Sequence, residues 1–222
     1  MKKIDIKKMT VVAMLTALSY LCMLVFHFKV GFLTFDIKDA ILAVASLIYG
    51  PLTGVFASAA VVLLELVTVS DTGFYGLIMN FLSSATFTAV VGLVYKYRRS
   101  LSGAVLGVIA AALSVTAVML LANLFITPYY MGVERGEVVK MLGTLLLPFN
   151  LTKSVFNGAL VLLIYKPSTL AFRRTGLLPK SETGQYKFGL KTVMLIVSSV
   201  IVIVLAFLFF SLYLHGDVVF FD

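Results

Sequence analysis

Charge is scarce in this chain: Asp, Glu, Lys and Arg make up 13% of its 222 residues. A soluble domain carries about 25%, so too few are present to cover a water-facing surface. Cysteine is nearly absent as well. The single Cys22 rules out an internal disulfide, and within its apolar stretch it reads as a small packing residue. Two histidines, His27 and His215, sit at the edges of apolar runs without ligand-spaced companions, which argues against a metal site. No glycine-rich loop ending in Lys-Ser or Lys-Thr occurs, so the usual nucleotide phosphate cradle is missing. No nucleophile, base and orienting acid can be placed together, and nothing supports an enzyme.

Apolar length is what the chain has. Hydrophobic residues make up 61%, and the mean hydropathy is +1.07. The runs are continuous and do not alternate with period two, which favours membrane helices over a β-barrel. The expected spans are 9–28, 39–50, 53–69, 75–95, 103–125, 148–165 and 189–214. Gly50-Pro51 closes the second, and Pro148 fits the first turn of the sixth. The second span rises only about 18 Å, too short to cross alone unless neighbouring loops dip inward. The run after Met1-Lys2-Lys3 continues to Phe28 with no small-x-small site near its end. It therefore reads as a retained helix rather than a signal peptide.

The net charge of +8 does not point to nucleic acid, because the basic residues lie between apolar spans. Segments 1–8, 96–102 and 166–191 hold thirteen of the eighteen Lys and Arg residues, with only Asp5 and Glu182 as acids. The positive-inside rule then puts these segments, and the N-terminus, in the cytoplasm. Loops 29–38, 70–74 and 126–147 face outward, as does the tail from His215. Within the third loop, Val138, Met141, Leu142 and Leu145 have helical spacing and suggest a short helix, either lying at the interface or simply connecting its neighbours.

Orientation brings scattered polar residues to one depth. Lys38 and Asp39 open the second helix, Asn80 lies early in the fourth, Asn123 late in the fifth, and Asn150 and Lys153 early in the sixth. All fall in the outer third of the bilayer. Asn150, Lys153 and Asn157 share one helix face, and Glu65 lies at a similar level. Ionisable residues at such depth are costly and need partners or a function. Asparagines also commonly bridge helices, but the set with a buried lysine reads as a pocket open to the outside. Phe32, Phe35, Phe74, Tyr75, Phe81, Tyr129, Tyr130 and Phe149 lie at the same level. A flat heteroaromatic ligand with a polar edge suits rings beside amides, although aromatics also anchor helices at interfaces.

Three of these stretches resemble a known family. Residues 32–39 (Phe-Leu-Thr-Phe-Asp-Ile-Lys-Asp), 75–81 (Tyr-Gly-Leu-Ile-Met-Asn-Phe) and 148–153 (Pro-Phe-Asn-Leu-Thr-Lys) are similar to motifs of the substrate-binding S components of energy-coupling factor (ECF) vitamin transporters, riboflavin-specific type. The resemblance spans about residues 9–165. It implies an all-α integral membrane fold: a six-helix substrate-binding domain over 1–165, to which this chain adds a basic cytoplasmic linker, 166–188, and a seventh transmembrane helix with a short outer tail, 189–222. It implies that Asn123, Asn150 and Lys153 hydrogen-bond the flavin ring. Asn80, Tyr75, Gly76 and the loop carrying Asp36 and Lys38 would enclose the ligand. It implies a membrane scaffold subunit and two ATPase subunits as partners in the cell membrane, consistent with the missing phosphate loop. Ala13 and Ala17, four apart on the first helix, would meet the scaffold. Riboflavin would be the transported ligand, with no other cofactor. FMN or another vitamin is the alternative, for which Lys29, Lys38, Arg135 and Lys140 could supply a phosphate contact. A non-transport membrane protein whose polar residues only hold helices together is the third reading.

Overall fold

The computed structural model describes residues 5–178, 189–214 and 217–219. Lys2, Lys3, Lys180, Glu182, Lys187 and His215, used in the orientation reading, lie outside the described residues. The elements run α1 (Ile6–Val25), β1 (His27–Val30), β2 (Leu33–Asp36), α2 (Lys38–Tyr49), α3 (Pro51–Thr68), α4 (Gly73–Tyr97), α5 (Leu101–Met131), α6 (Arg135–Met141), a π-helical turn (Leu142–Leu146), α7 (Leu147–Arg174), α8 (Leu190–Leu212) and β3 (Asp217–Val219). Among the described residues, six stretches are long and apolar enough to cross a membrane: α1, α3, α4, α5, α6 through α7, and most of α8. The all-α membrane bundle is therefore as expected, with helix ends moved by a few residues.

The short α2 is the centre of the bundle. Every residue from Lys38 to Leu47 is buried, with α1, α3, α4 and α7 packed around it. A helix enclosed on all sides need not span the bilayer, so its 12 residues suffice. Small residues allow the close approach. A Cβ on Gly54 would lie 2.7 Å from Ser46 Cβ and 2.9 Å from Thr88 Cβ, and one on Gly92 would lie 3.0 Å from Pro51 Cα. Ser46 Oγ then donates to Thr88 O at 2.6 Å, joining α2 to α4. Small residues with such interhelical bonds are how membrane helices associate without a hydrophobic driving force.

Two expectations need correction. Segment 29–38 is not a plain loop. It forms an antiparallel hairpin, with His27 opposite Asp36 and Val30 opposite Leu33. Gly31 supplies the left-handed turn conformation, φ 57°. The first helix ends at Val25 rather than near 28 because the chain enters the hairpin, where Phe28 and Val30 of β1 and Leu33 and Phe35 of β2 join one apolar cluster. Segment 126–147 is not a long loop either. α5 continues through Pro128 to Met131 and stops where Gly132 adopts φ 65°. After α6 the π-helical turn feeds directly into α7. Val138 of α6 is fully buried while Arg135, Gly136, Glu137, Val139 and Lys140 are exposed, so α6 is a connecting helix that docks on the bundle through one buried residue. α7 also extends past the expected end at 165, through Pro167 to Arg174.

The hairpin, the α3–α4 connection and the C-terminal end of α5 gather at one end of the bundle. Lys29 Nζ meets Asp71 at 2.8 Å, and the rings of Phe32 and Tyr130 lie 6.4 Å apart. At the other end, Lys7 Nζ donates to Gly176 O at 3.1 Å, bringing the start of α1 to the end of α7.

Candidate functional site

Lys153 is the residue around which the hairpin end is organised. It is 6% exposed on α7. A lone ammonium there would carry a large desolvation cost. The hairpin supplies its partners: Lys153 Nζ donates to Thr34 O at 2.9 Å and to Asp36 Oδ2 at 2.8 Å. Asn157, one turn further along α7, fixes the same segment by its backbone. Its Nδ2 donates to Asp36 O at 2.9 Å, and its Oδ1 accepts from Ala40 N at 2.9 Å. The shared face of Asn150, Lys153 and Asn157 thus divides by depth. The outer two face a cavity, and Asn157 bolts the hairpin to the bundle.

The charges continue away from Lys153. Lys38 Nζ lies 3.6 Å from Asp36 Oδ2 and 2.7 Å from Glu65 Oε2. Glu65 Oε1 accepts from Asn80 Nδ2 at 2.7 Å. Beside this chain, Ser84 Oγ donates to Asp39 Oδ1 at 2.5 Å. A buried relay therefore runs Lys153–Asp36–Lys38–Glu65–Asn80, and both its ends line the cavity. Asp36 lies on the hairpin, outside the spans. Burial alone would raise its carboxyl, but the Lys153 and Lys38 ammonium groups outweigh burial and hold it below the ordinary carboxylate value.

The cavity is lined by Asn80, Asn123, Asn150, Lys153, Tyr75 and Gly76, six of the eight residues expected to hold a ligand. Asp36 and Lys38 do not line it. They are 1% exposed and act behind it, through Lys153 and Glu65. Of the eight aromatics expected at this level, Phe32, Tyr75, Tyr130 and Phe149 form walls, Phe35 lies buried behind Phe149, Phe81 is half-buried outside the lining, and Phe74 and Tyr129 are exposed. Leu33, Thr34, Thr72, Met79, Ser83, Met119, Ile126 and Thr127 complete the lining. Leu33 and Thr34 belong to the stretch expected to enclose the ligand, but sequence reading did not single out the others, because a threonine or methionine in an apolar helix carries no distinguishing pattern. Gly76 is needed where it stands: a Cβ there would collide with Thr72 Oγ1.

The space has two parts. An inner cavity of about 90 Å³ shares Phe32, Thr34, Thr72, Asn80 and Tyr130 with an adjoining outer one of about 510 Å³. The outer volume falls within the range of small-molecule sites, about 300–1,000 Å³. Its lining adds His27, Lys29, Glu65, Thr68, Ser70 and Asp71, so it is the more polar part.

Hydrogen-bonding capacity in the inner cavity is partly used by the protein. Asn123 bonds along its own helix: Nδ2 to Met119 O and Oδ1 from Thr127 Oγ1, both 2.7 Å. Asn150 Nδ2 donates to Leu146 O at 2.7 Å, while among the described residues its Oδ1 accepts nothing. Lys153 has three N–H bonds, two of them used on the hairpin. Asn150 Oδ1 and the third N–H of Lys153, an acceptor and a charged donor three residues apart on one face, are among the groups that remain for a ligand.

On α1, Ala13 and Ala17 are exposed, while Val11, Leu15 and Ser19 on the opposite face are buried in the bundle. α8 packs on α7 and leaves the Ala13–Ala17 face open.

Comparison with known proteins agrees with this architecture. A family model for the ECF transporter substrate-specific component matches residues 7–165. The chain is 26% identical over 170 residues to the riboflavin transporter RibU of Staphylococcus aureus (strain TCH60), covering 72% of this chain and 89% of that one. It is 26% identical over 172 residues to the riboflavin transporter FmnP of Bacillus subtilis (strain 168), covering 72% and 90%. The solved structure of the S component of a bacterial ECF transporter superposes with a TM-score of 0.64 at 24% identity, covering 76% of this chain and 98% of that one. α8 lies beyond the matched family region. This multi-pass membrane protein belongs to the substrate-specific components of ECF transporters, which bind and deliver a transported substrate rather than catalyse a reaction.

Proposed function

We propose that the chain is a riboflavin-binding S component that captures its ligand outside the cell, with its N-terminus in the cytoplasm, and delivers it through a scaffold subunit and two ATPase subunits. The observation that carries this reading is the free donor–acceptor pair, Lys153 Nζ and Asn150 Oδ1, set among four aromatic rings. The pyrimidine edge of a flavin alternates carbonyl oxygens with an N–H. A carbonyl accepts from Lys153, and the N–H donates to Asn150. The tricyclic ring stacks among Phe32, Tyr75, Tyr130 and Phe149, and the hydroxylated ribityl chain extends into the more polar outer cavity. Two riboflavin transporters among the relatives support the same ligand. The exposed Ala13 and Ala17 offer the scaffold a close-packing helix face.

FMN is the second reading, and the charges disfavour it. Of the four cations that could meet a phosphate, Lys38 is buried between Asp36 and Glu65. Lys140 pairs with Glu137 at 2.7 Å, and Arg135 stacks over Phe125. Lys29 alone of the four borders the outer cavity, paired with Asp71. A phosphate would have to displace Asp71 and lie in the same cavity as Glu65. Competition measured by flavin fluorescence quenching should therefore show riboflavin binding tighter than FMN by about tenfold or more, ~1.4 kcal/mol. Equal or stronger FMN binding would reverse the assignment.

A further inference from the structure

The family match ends at residue 165, yet α8 is built into the hairpin that holds Lys153. Phe35 is the pivot of that contact. Its neighbours on either side, Thr34 and Asp36, supply the two acceptors of the Lys153 ammonium. The Phe35 ring is 1% exposed and sits in a nest of rings. Phe156 lies 5.2 Å from it, Phe149 6.2 Å, and Phe210 of α8, the nearest of them, 4.8 Å. Phe210 also lies 5.6 Å from Phe28 on β1, and Ala206 and Leu214 join the same buried cluster. Further on, β3 adds a third strand to the hairpin, with Lys29 opposite Asp217 and His27 opposite Val219. Phe149 is itself a wall of the inner cavity. One α8 side chain therefore reaches both the Lys153 anchor and an aromatic wall through a single intermediate ring.

We infer that Phe210 is a positioning residue for ligand binding: α8 braces Phe35, and through it sets where Thr34 O and Asp36 Oδ2 hold the Lys153 ammonium. A two-stranded hairpin alone is marginal; the third strand and the aromatic wedge fix it against the bundle. The ligand named in the test rests on the riboflavin reading, but the brace does not.

The test uses three variants of the full chain in detergent. Phe210→Ala removes the wedge, Phe210→Leu keeps an apolar side chain there, and Phe209→Ala alters a ring that stacks on Tyr213 instead. Two quantities are read: riboflavin affinity by fluorescence quenching, and hydrogen exchange of backbone amides in 33–36 against those of α5. Phe210→Ala should weaken riboflavin by about tenfold or more and speed exchange in 33–36, leaving Ala111, Ala112 and Val115 protected. Phe210→Leu should recover most of both, and Phe209→Ala should match the unmodified chain. Unchanged affinity with unchanged hairpin exchange overturns the inference. Uniformly faster exchange throughout the chain also overturns it, since Phe210 would then serve only overall stability. If the unmodified chain does not bind riboflavin, the ligand reading fails, and the exchange comparison, which needs no ligand, still decides whether α8 braces the hairpin.

Discussion

Lys153→Met is expected to weaken riboflavin binding by about 30-fold or more while the bundle still folds. The lost group is a buried, charged donor, and truncating one partner of such a contact costs about 2–5 kcal/mol, with 1.4 kcal/mol per tenfold. Methionine fills a similar volume, so little of the effect comes from a void. The substitution does strand Asp36, whose other cation, Lys38, is 3.6 Å away. Stability should therefore fall as well, and a second change separates the two effects. In Lys153→Met with Asp36→Asn, the unpaired carboxylate becomes a neutral amide and the melting temperature should rise again. Affinity should stay low, because no donor has returned to the cavity. Thermal melting in detergent and fluorescence titration read the two quantities. Recovery of affinity together with stability would mean that Lys153 acts only as a strut.

Lys38→Met should have the opposite emphasis, damaging the fold more than any other single change in the relay. Lys38 is 1% exposed and stands between two acids, 2.7 Å from Glu65 and 3.6 Å from Asp36. Removing one partner of a buried pair costs about 3–5 kcal/mol, since the remaining charge is uncompensated. Among the described residues, Glu65 then loses its cation outright and keeps only the Asn80 amide. Asp36 retains Lys153. The deficit thus falls at Glu65, and Lys38→Met with Glu65→Gln should recover a large part of it, as buried pairs are often replaceable by neutral groups. Chemical unfolding of the purified chain measures both. A stability loss under about 1 kcal/mol in the single variant would show that water reaches Glu65 and screens it.

Much of this was legible before any coordinates. The charge asymmetry between segments predicts which helix ends lie on the same side, and that grouping puts Asn80, Asn123, Asn150 and Lys153 at one level, where all four line one cavity. Long apolar runs located the spans because lipid demands internally satisfied backbone over about 20 residues. The hairpin was harder. Its strands are four residues each, and a short alternation between two membrane helices looks like any connecting loop. Asp36 and Lys38 were identified as site residues by their motif, but motif position does not reveal which way a side chain turns. Both turn inward and pair, supporting the cavity from behind. Asn157 shared a face with Lys153, yet periodicity cannot separate a ligand contact from a bond to a neighbouring backbone. The continuation of α5 and α7 past their expected ends was hidden by Pro128 and Pro167. Membrane helices tolerate such prolines because other groups satisfy the freed carbonyls. α8 was visible as an apolar run, but its contact with Phe35 joins residues about 175 positions apart and leaves no local signal.

Titration of riboflavin fluorescence with the purified, full-length protein tests the central claim most directly. The chain should quench the flavin saturably at one site per molecule, and material purified from riboflavin-containing cells should be yellow, with flavin absorbance bands in its visible spectrum. A colourless preparation that leaves flavin fluorescence unchanged at micromolar protein would contradict it.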